Sequence, residues 1–130
     1  MRYLLDTHVW LWMLAAPERI RQDIWPILLD RDQELLLSAA SSWEIAIKHK
    51  LQRLELPTPP EEFVPRYLRE SGVVGFPIQH RHALRGAALP DHHRDPFDRL
   101  LVAQAQMEGL TIITADPLVC RYAVEVLLVV

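Results

Sequence analysis

With 130 residues, half of them apolar and 24% charged, the chain has the composition of one globular domain spanning residues 1–130. A formal net charge of −3 excludes a broadly cationic nucleic-acid coat, so any nucleic-acid contact must come from a local patch. The single cysteine, Cys120, cannot form an internal disulfide, and in PLVCRYAV it reads as a small buried core residue.

Short apolar runs alternate with longer helical patterns along the chain, which predicts an α/β fold with a parallel sheet of four to five strands and helices on both faces. Strands are expected at Tyr3–Leu5, Glu34–Ser38, Val73–Ile78, Thr111–Thr114 and Val126–Val129. Helical patterns fall near 7–16, 18–30, 42–52, 61–71, 80–87 and 97–108. Pro26 should kink or divide the second of these, and Pro59 or Pro60 favours the start of the fourth. Gly109 suits a helix C-cap just before TIIT. The apolar run Val9–Ala16 is about half of the ~18–20 residues a membrane-spanning helix needs. No targeting segment is visible, so a soluble cytoplasmic protein is the expectation.

Four acids, Asp6, Glu44, Asp98 and Asp116, each stand where a helix should begin beside the end of a strand. In a parallel sheet all strands finish on one edge, and the returning helices begin there, so four distant segments can bring carboxylates to one place. Singly, each acid also reads as a cap. Ser41-Ser42-Trp43-Glu44 fits a capping box, Asp95-Pro96-Phe97-Asp98 an N-cap with proline at N1, and Asp116-Pro117 repeats the Asp-Pro start. Capping does not require an acid at all four starts, because Ser, Thr or Asn would serve. Four clustered carboxylates repel one another, and a hard divalent cation such as Mg2+ or Mn2+ removes that conflict.

The histidines carry a weaker signal. His80, His82, His92 and His93 lack an HExxH or Cys/His framework for zinc, and adjacent His92 and His93 rarely share one ion. With Arg81, Arg85 and Arg94 they read as a locally basic surface suited to a phosphate backbone, or simply as a solvated face. Lys48 stands four residues after Glu44, the spacing of an ion pair along a helix. Trp10 and Trp12 are two apart and cannot share a helix face, which leaves at least one available to a partner unless neighbouring core covers both.

The segments LLDTHVWLW, SAASSWEIAIK, LPDHHRDPFDRLLVAQA and TIITAD, in that order, resemble the PIN-domain family and within it the VapC-type toxin ribonucleases of toxin–antitoxin pairs. The resemblance covers essentially the whole length. It implies a cytoplasmic endoribonuclease that uses Mg2+ or Mn2+ to hydrolyse RNA phosphodiester bonds, with a cognate antitoxin and a homodimeric assembly. It also implies catalytic roles for Asp6, Glu44, Asp98 and Asp116. Asp6 and Asp98 would bind metal directly, Glu44 and Asp116 would orient water or hold a second ion, and Lys48 and Arg99 would approach phosphates. Asp95 competes for the Asp98 role. The alternative is a catalytically inactive RNA-binding module of the same fold. A phosphoacceptor receiver domain, an Asp-x-Asp phosphatase and a P-loop ATPase are disfavoured, because Thr7 and His8 follow Asp6 and no GxxxxGK[ST] loop exists.

Overall fold

A computed structural model describes residues 1–130. Five parallel strands, β1 (Arg2–Leu5), β2 (Glu34–Ser38), β3 (Val74–Phe76), β4 (Thr111–Thr114) and β5 (Val126–Leu128), lie in the order β3-β2-β1-β4-β5. Six α-helices connect them: α1 (Thr7–Ala15), α2 (Trp25–Leu29), α3 (Ala39–Lys50), α4 (Pro60–Ser71), α5 (His80–Ala88) and α6 (Pro96–Glu108). From β1 the chain winds outward through β2 and β3, then returns to place β4 on the other side of β1. The order therefore reverses beside β1, where open α/β sheets form their ligand crevices. Asp6 is the first residue after that strand.

Alternation along the strands divides the core between the two sheet faces. Tyr3, Leu5, Leu35, Leu37 and Ile113 join one cluster with residues of α1, α3 and α4, while Leu4, Leu36 and Ile112 join another with residues of α6. Helices thus cover both faces, as a parallel sheet requires.

The departures from expectation have local causes. Pro26 does not kink a long helix but sits at the start of α2, after an irregular stretch and a short 3-10 turn at Pro17–Arg19. Lacking an N–H, proline is tolerated in a first turn and not in a helix interior. Strand β3 stops at Phe76 because Pro77 cannot donate to the ladder. Cys120 is exposed, since its 3-10 turn (Pro117–Arg121) directs Val119 inward instead. Gly109 does end α6, at φ 66°, where any side chain would strain the backbone. No helix is long and apolar enough to cross a membrane.

Trp10 belongs to the core. It is fully buried, stands edge-on to Phe63 at 6.0 Å and donates from Nε1 to Ser71 Oγ at 3.2 Å. Replacing Trp10 with Ala should lower stability by about 3 kcal/mol or more, measured by equilibrium urea unfolding. A loss below about 1 kcal/mol would be what surface positions show, and would contradict its core role.

Candidate active site

The C-terminal edge of the sheet carries the acids on four different supports. Asp6 caps α1, accepting from the His8 N–H, and its Oδ2 accepts from the Thr114 hydroxyl at 2.6 Å. It is almost wholly buried. Burial pushes its carboxyl up, but hydrogen bonds from His8 and Thr114 outweigh that and hold it below the ordinary aspartate range. His8 is raised in turn, chiefly by its bond to Asp6.

Glu44 is not the closing acid of a capping box. Helix α3 starts earlier than expected, with Ser38 as its cap accepting from the Ala40 N–H at 3.0 Å. Ser41 and Glu44 are therefore interior helix residues, both buried. Glu44 Oε1 lies 2.7 Å from Thr7 Oγ1, which is also 2.7 Å from Ser41 Oγ. A carboxylate only accepts, so Thr7 donates to Glu44 and receives from Ser41. The other Glu44 oxygen pairs with Lys48, four residues along the helix.

Asp95 and Asp98 take different work. Asp95 caps α6, accepting from the N–H groups of Phe97 at 2.8 Å and Asp98 at 3.4 Å. Asp98 projects from the first turn into the cluster. Its carboxyl is pushed up to about 7, first by burial and then by the negative charges of Asp6 and Asp95. Asp116 caps the 3-10 turn after β4 through the Leu118 N–H, 2.9 Å from its Oδ1. Since Ser caps nearly as well as Asp, Asp95→Ser should retain most activity while Asp98→Ser loses it. An RNA cleavage assay giving the reverse order would exchange the two roles.

One member of the site is not among the site residues expected from sequence. His93 turns inward, its side chain only 13% exposed, and places Nε2 at 2.7 Å from Asp116 Oδ2 and 3.1 Å from Asp98 Oδ2. Ligand atoms of His93, Asp98 and Asp116 all lie within 4.8 Å of one another, a spacing that fits a single metal ion. The available signal was its place in HHRDPFD, two residues before the cap of an acid-led helix. Its neighbour His92 stays outside against Tyr122. His82 is no surface group either: fully buried, it accepts from the Gln79 N–H and reaches Glu108 at 2.9 Å.

Arg99 has its guanidinium engaged within the protein. It donates to the carbonyls of Ala87, Leu89, Pro90 and His93, at 2.8–3.3 Å, and so ties down the loop leading to α6. That geometry replaces the expected phosphate contact with a scaffold role. Lys48 keeps an ammonium half-exposed beside Glu44. Exposed Trp43 meets Phe97 edge-to-face at 5.6 Å, and these residues immediately precede Glu44 and Asp98.

The PIN domain family model matches residues 3–125. The chain belongs to the PIN-domain family. Among its relatives, Ribonuclease VapC22 of Mycobacterium tuberculosis is 32% identical over 114 residues, covering 87% of this chain and 85% of that protein. Ribonuclease VapC16 of the same organism is 41% identical over 56 residues, or 43% of this PIN domain and 40% of that protein. These relatives place the chain in the VapC group of the family. The PIN fold is shared with VapBC2 from Rickettsia felis, solved bound to a promoter DNA fragment, at TM-score 0.71 and 12% identity over 98% of each chain. It is also shared with FitAcB from Neisseria gonorrhoeae, at TM-score 0.63 and 21% identity over 95% of each chain.

Proposed function

We propose that this PIN domain is a Mg2+- or Mn2+-dependent endoribonuclease that hydrolyses RNA phosphodiester bonds and acts as the toxin of a toxin–antitoxin pair. The observation that carries the reading is the meeting of Asp98 and Asp116 beside the strand-order reversal, where burial and then the charges of Asp6 and Asp95 lift the Asp98 carboxyl. The naming of VapC relatives as ribonucleases and the toxin–antitoxin complexes among the fold's neighbours support substrate and setting.

The donor set fits the cation. Carboxylate oxygens suit a hard divalent ion, and charge neutralisation removes the repulsion that Asp98 experiences. Asp6 and Asp98 would hold the ion, with Asp116 beside them. When bound, the ion supplies Lewis acidity to phosphoryl oxygens and acidifies water for in-line attack. Glu44, held by Thr7 and Lys48, would orient water at a fixed carboxylate oxygen. Lys48 and the exposed His8 bring positive charge towards a phosphate, partly offsetting an acidic cleft that would otherwise repel RNA. Trp43 offers an exposed ring on which an unpaired base can stack, which suits single-stranded substrate.

Cleavage of an RNA mixture by the purified chain, measured with Mg2+ and with excess EDTA, tests the function. Cleavage that EDTA abolishes and Mg2+ restores is expected. Binding without turnover would make the chain an RNA-binding module.

The antitoxin is expected to cover α1. Trp12, Met13 and Leu14 are half-buried there, next to an apolar groove of about 200 Å³ lined by Leu11, Leu14, Leu54, Leu56, Phe63 and Tyr67. An amphipathic helix is the occupant such a groove suits. Trp12→Ala should weaken antitoxin binding by about 2 kcal/mol, with RNase activity retained. Calorimetric titration giving wild-type affinity would remove Trp12 from that interface.

A further inference from the structure

We propose that His93 is a positioning residue which holds Asp116 by a hydrogen bond from Nε2, close beside Asp98, and does not itself ligate the ion. The main chain of Asp95 imposes that role. The inference rests on the metal site proposed above and adds what sets its geometry.

The tautomer follows from the contacts on both ring nitrogens. His93 Nδ1 lies 3.1 Å from the Asp95 backbone N–H, which can only donate. Nδ1 must therefore present a lone pair, and the ring proton of the neutral imidazole sits on Nε2. That N–H is directed at Asp116 Oδ2, 2.7 Å away, with Asp98 Oδ2 at 3.1 Å. For Nε2 to offer a lone pair to a cation, the proton would have to move to Nδ1, where it would face the Asp95 N–H, donor against donor. Asp95 precedes the first turn of α6 and its N–H has no helical carbonyl to turn to.

The ring is also held in place from behind. The His93 backbone N–H donates to the Tyr122 hydroxyl at 2.8 Å, and that hydroxyl donates to the Pro90 carbonyl at 2.9 Å. Tyr122 is buried in the core. Asp98 stands in the first turn of α6 and Asp116 in the turn after β4, at the two ends of one helix–strand unit. A single N–H that bonds one oxygen of Asp116 and stands 3.1 Å from one oxygen of Asp98 sets their separation. Such outer groups around metal ligands commonly fix orientation and change affinity when lost.

The test uses the full chain. Long-range proton–nitrogen NMR correlation of the His93 ring should show the Nε2–H tautomer both in the metal-free and in the Mg2+-saturated protein. Pulsed EPR of the Mn2+-loaded protein should show no directly coordinated nitrogen. His93→Gln, which keeps an N–H near the Nε2 position, should bind Mn2+ within a few fold of wild type. His93→Ala should lose about 10- to 100-fold in Mn2+ affinity. A coordinated nitrogen on bound Mn2+, an Nδ1–H tautomer, or unchanged affinity in His93→Ala each overturns this inference alone. A wild-type chain that takes up no Mn2+ overturns the metal site itself, and this role with it. Should His93→Ala fail to fold, the spectra of the wild-type protein and the affinity of His93→Gln still decide.

Discussion

Asp6→Asn and Asp98→Asn should each reduce Mg2+-dependent RNA cleavage by about a thousandfold or more while the fold persists, since metal-assisted stabilisation of the transition state is worth several kcal/mol. Each change is nearly isosteric, but it removes a negative charge from a site whose proposed cation is held by charge. In the Asp6→Asn variant the amide oxygen would still accept from the Thr114 hydroxyl, so the edge of the sheet beside β4 keeps its connection. The measurement is single-turnover cleavage of one RNA, with far-UV circular dichroism on the same preparations. A variant with full activity takes that residue out of the metal site. A variant that is inactive and unfolded tests nothing about the metal, and Asp98→Glu then supplies the comparison.

Without metal, Asp98→Asn should be more stable than wild type, and the gain should grow with pH. The Asp98 carboxyl is raised to about 7 in the folded protein, from 3.8. The folded state thus binds this proton more tightly than the unfolded chain, and the associated stability is complete below about pH 4 and lost as pH rises through 7. The rise from 3.8 to about 7 is worth up to about 4 kcal/mol. Asparagine carries no such penalty, so the difference between variant and wild type should be near zero at pH 4 and reach its maximum above pH 7. Urea unfolding in EDTA across that range measures it. A difference that does not change with pH would mean that Asp98 is an ordinary exposed carboxylate. Because a cation must displace the same proton, Mg2+ affinity should rise by about tenfold per unit up to pH 7 and then level off.

The apolar rhythm of this chain contained most of its fold. Alternation in Tyr3-Leu4-Leu5, Leu35-Leu36-Leu37 and Ile112-Ile113 required strands with two buried faces, and only helices on both sides can provide them. The placing of Asp6, Asp98 and Asp116 at helix starts was equally local, because an acid near a helix N-terminus and a proline at N1 act over a few residues. Chain-level signals were poorer where two local rules competed. Ser41-x-x-Glu44 satisfied the spacing of a capping box, yet Ser38 began the helix, because β2 ends there and α3 starts at once. Cys120 sat among apolar neighbours, and a 3-10 turn with three residues per turn directed it outward.

What tertiary structure alone decided is which polar groups meet. The contact between Thr114 and Asp6 spans 108 positions, Glu44 reaches Thr7 across 37, and His93 reaches Asp116 across 23. No periodicity encodes such pairs, because each depends on the register between strands and on the angle at which a loop enters a helix. His93 and Arg99 show the consequence most plainly. His93 in a basic stretch, and Arg99 through the family resemblance, both suggested phosphate, but folding turned the imidazole towards two carboxylates and closed the guanidinium over four carbonyls. A side chain's chemistry is written in the sequence, whereas its partner is set by which segments the sheet brings to the same edge.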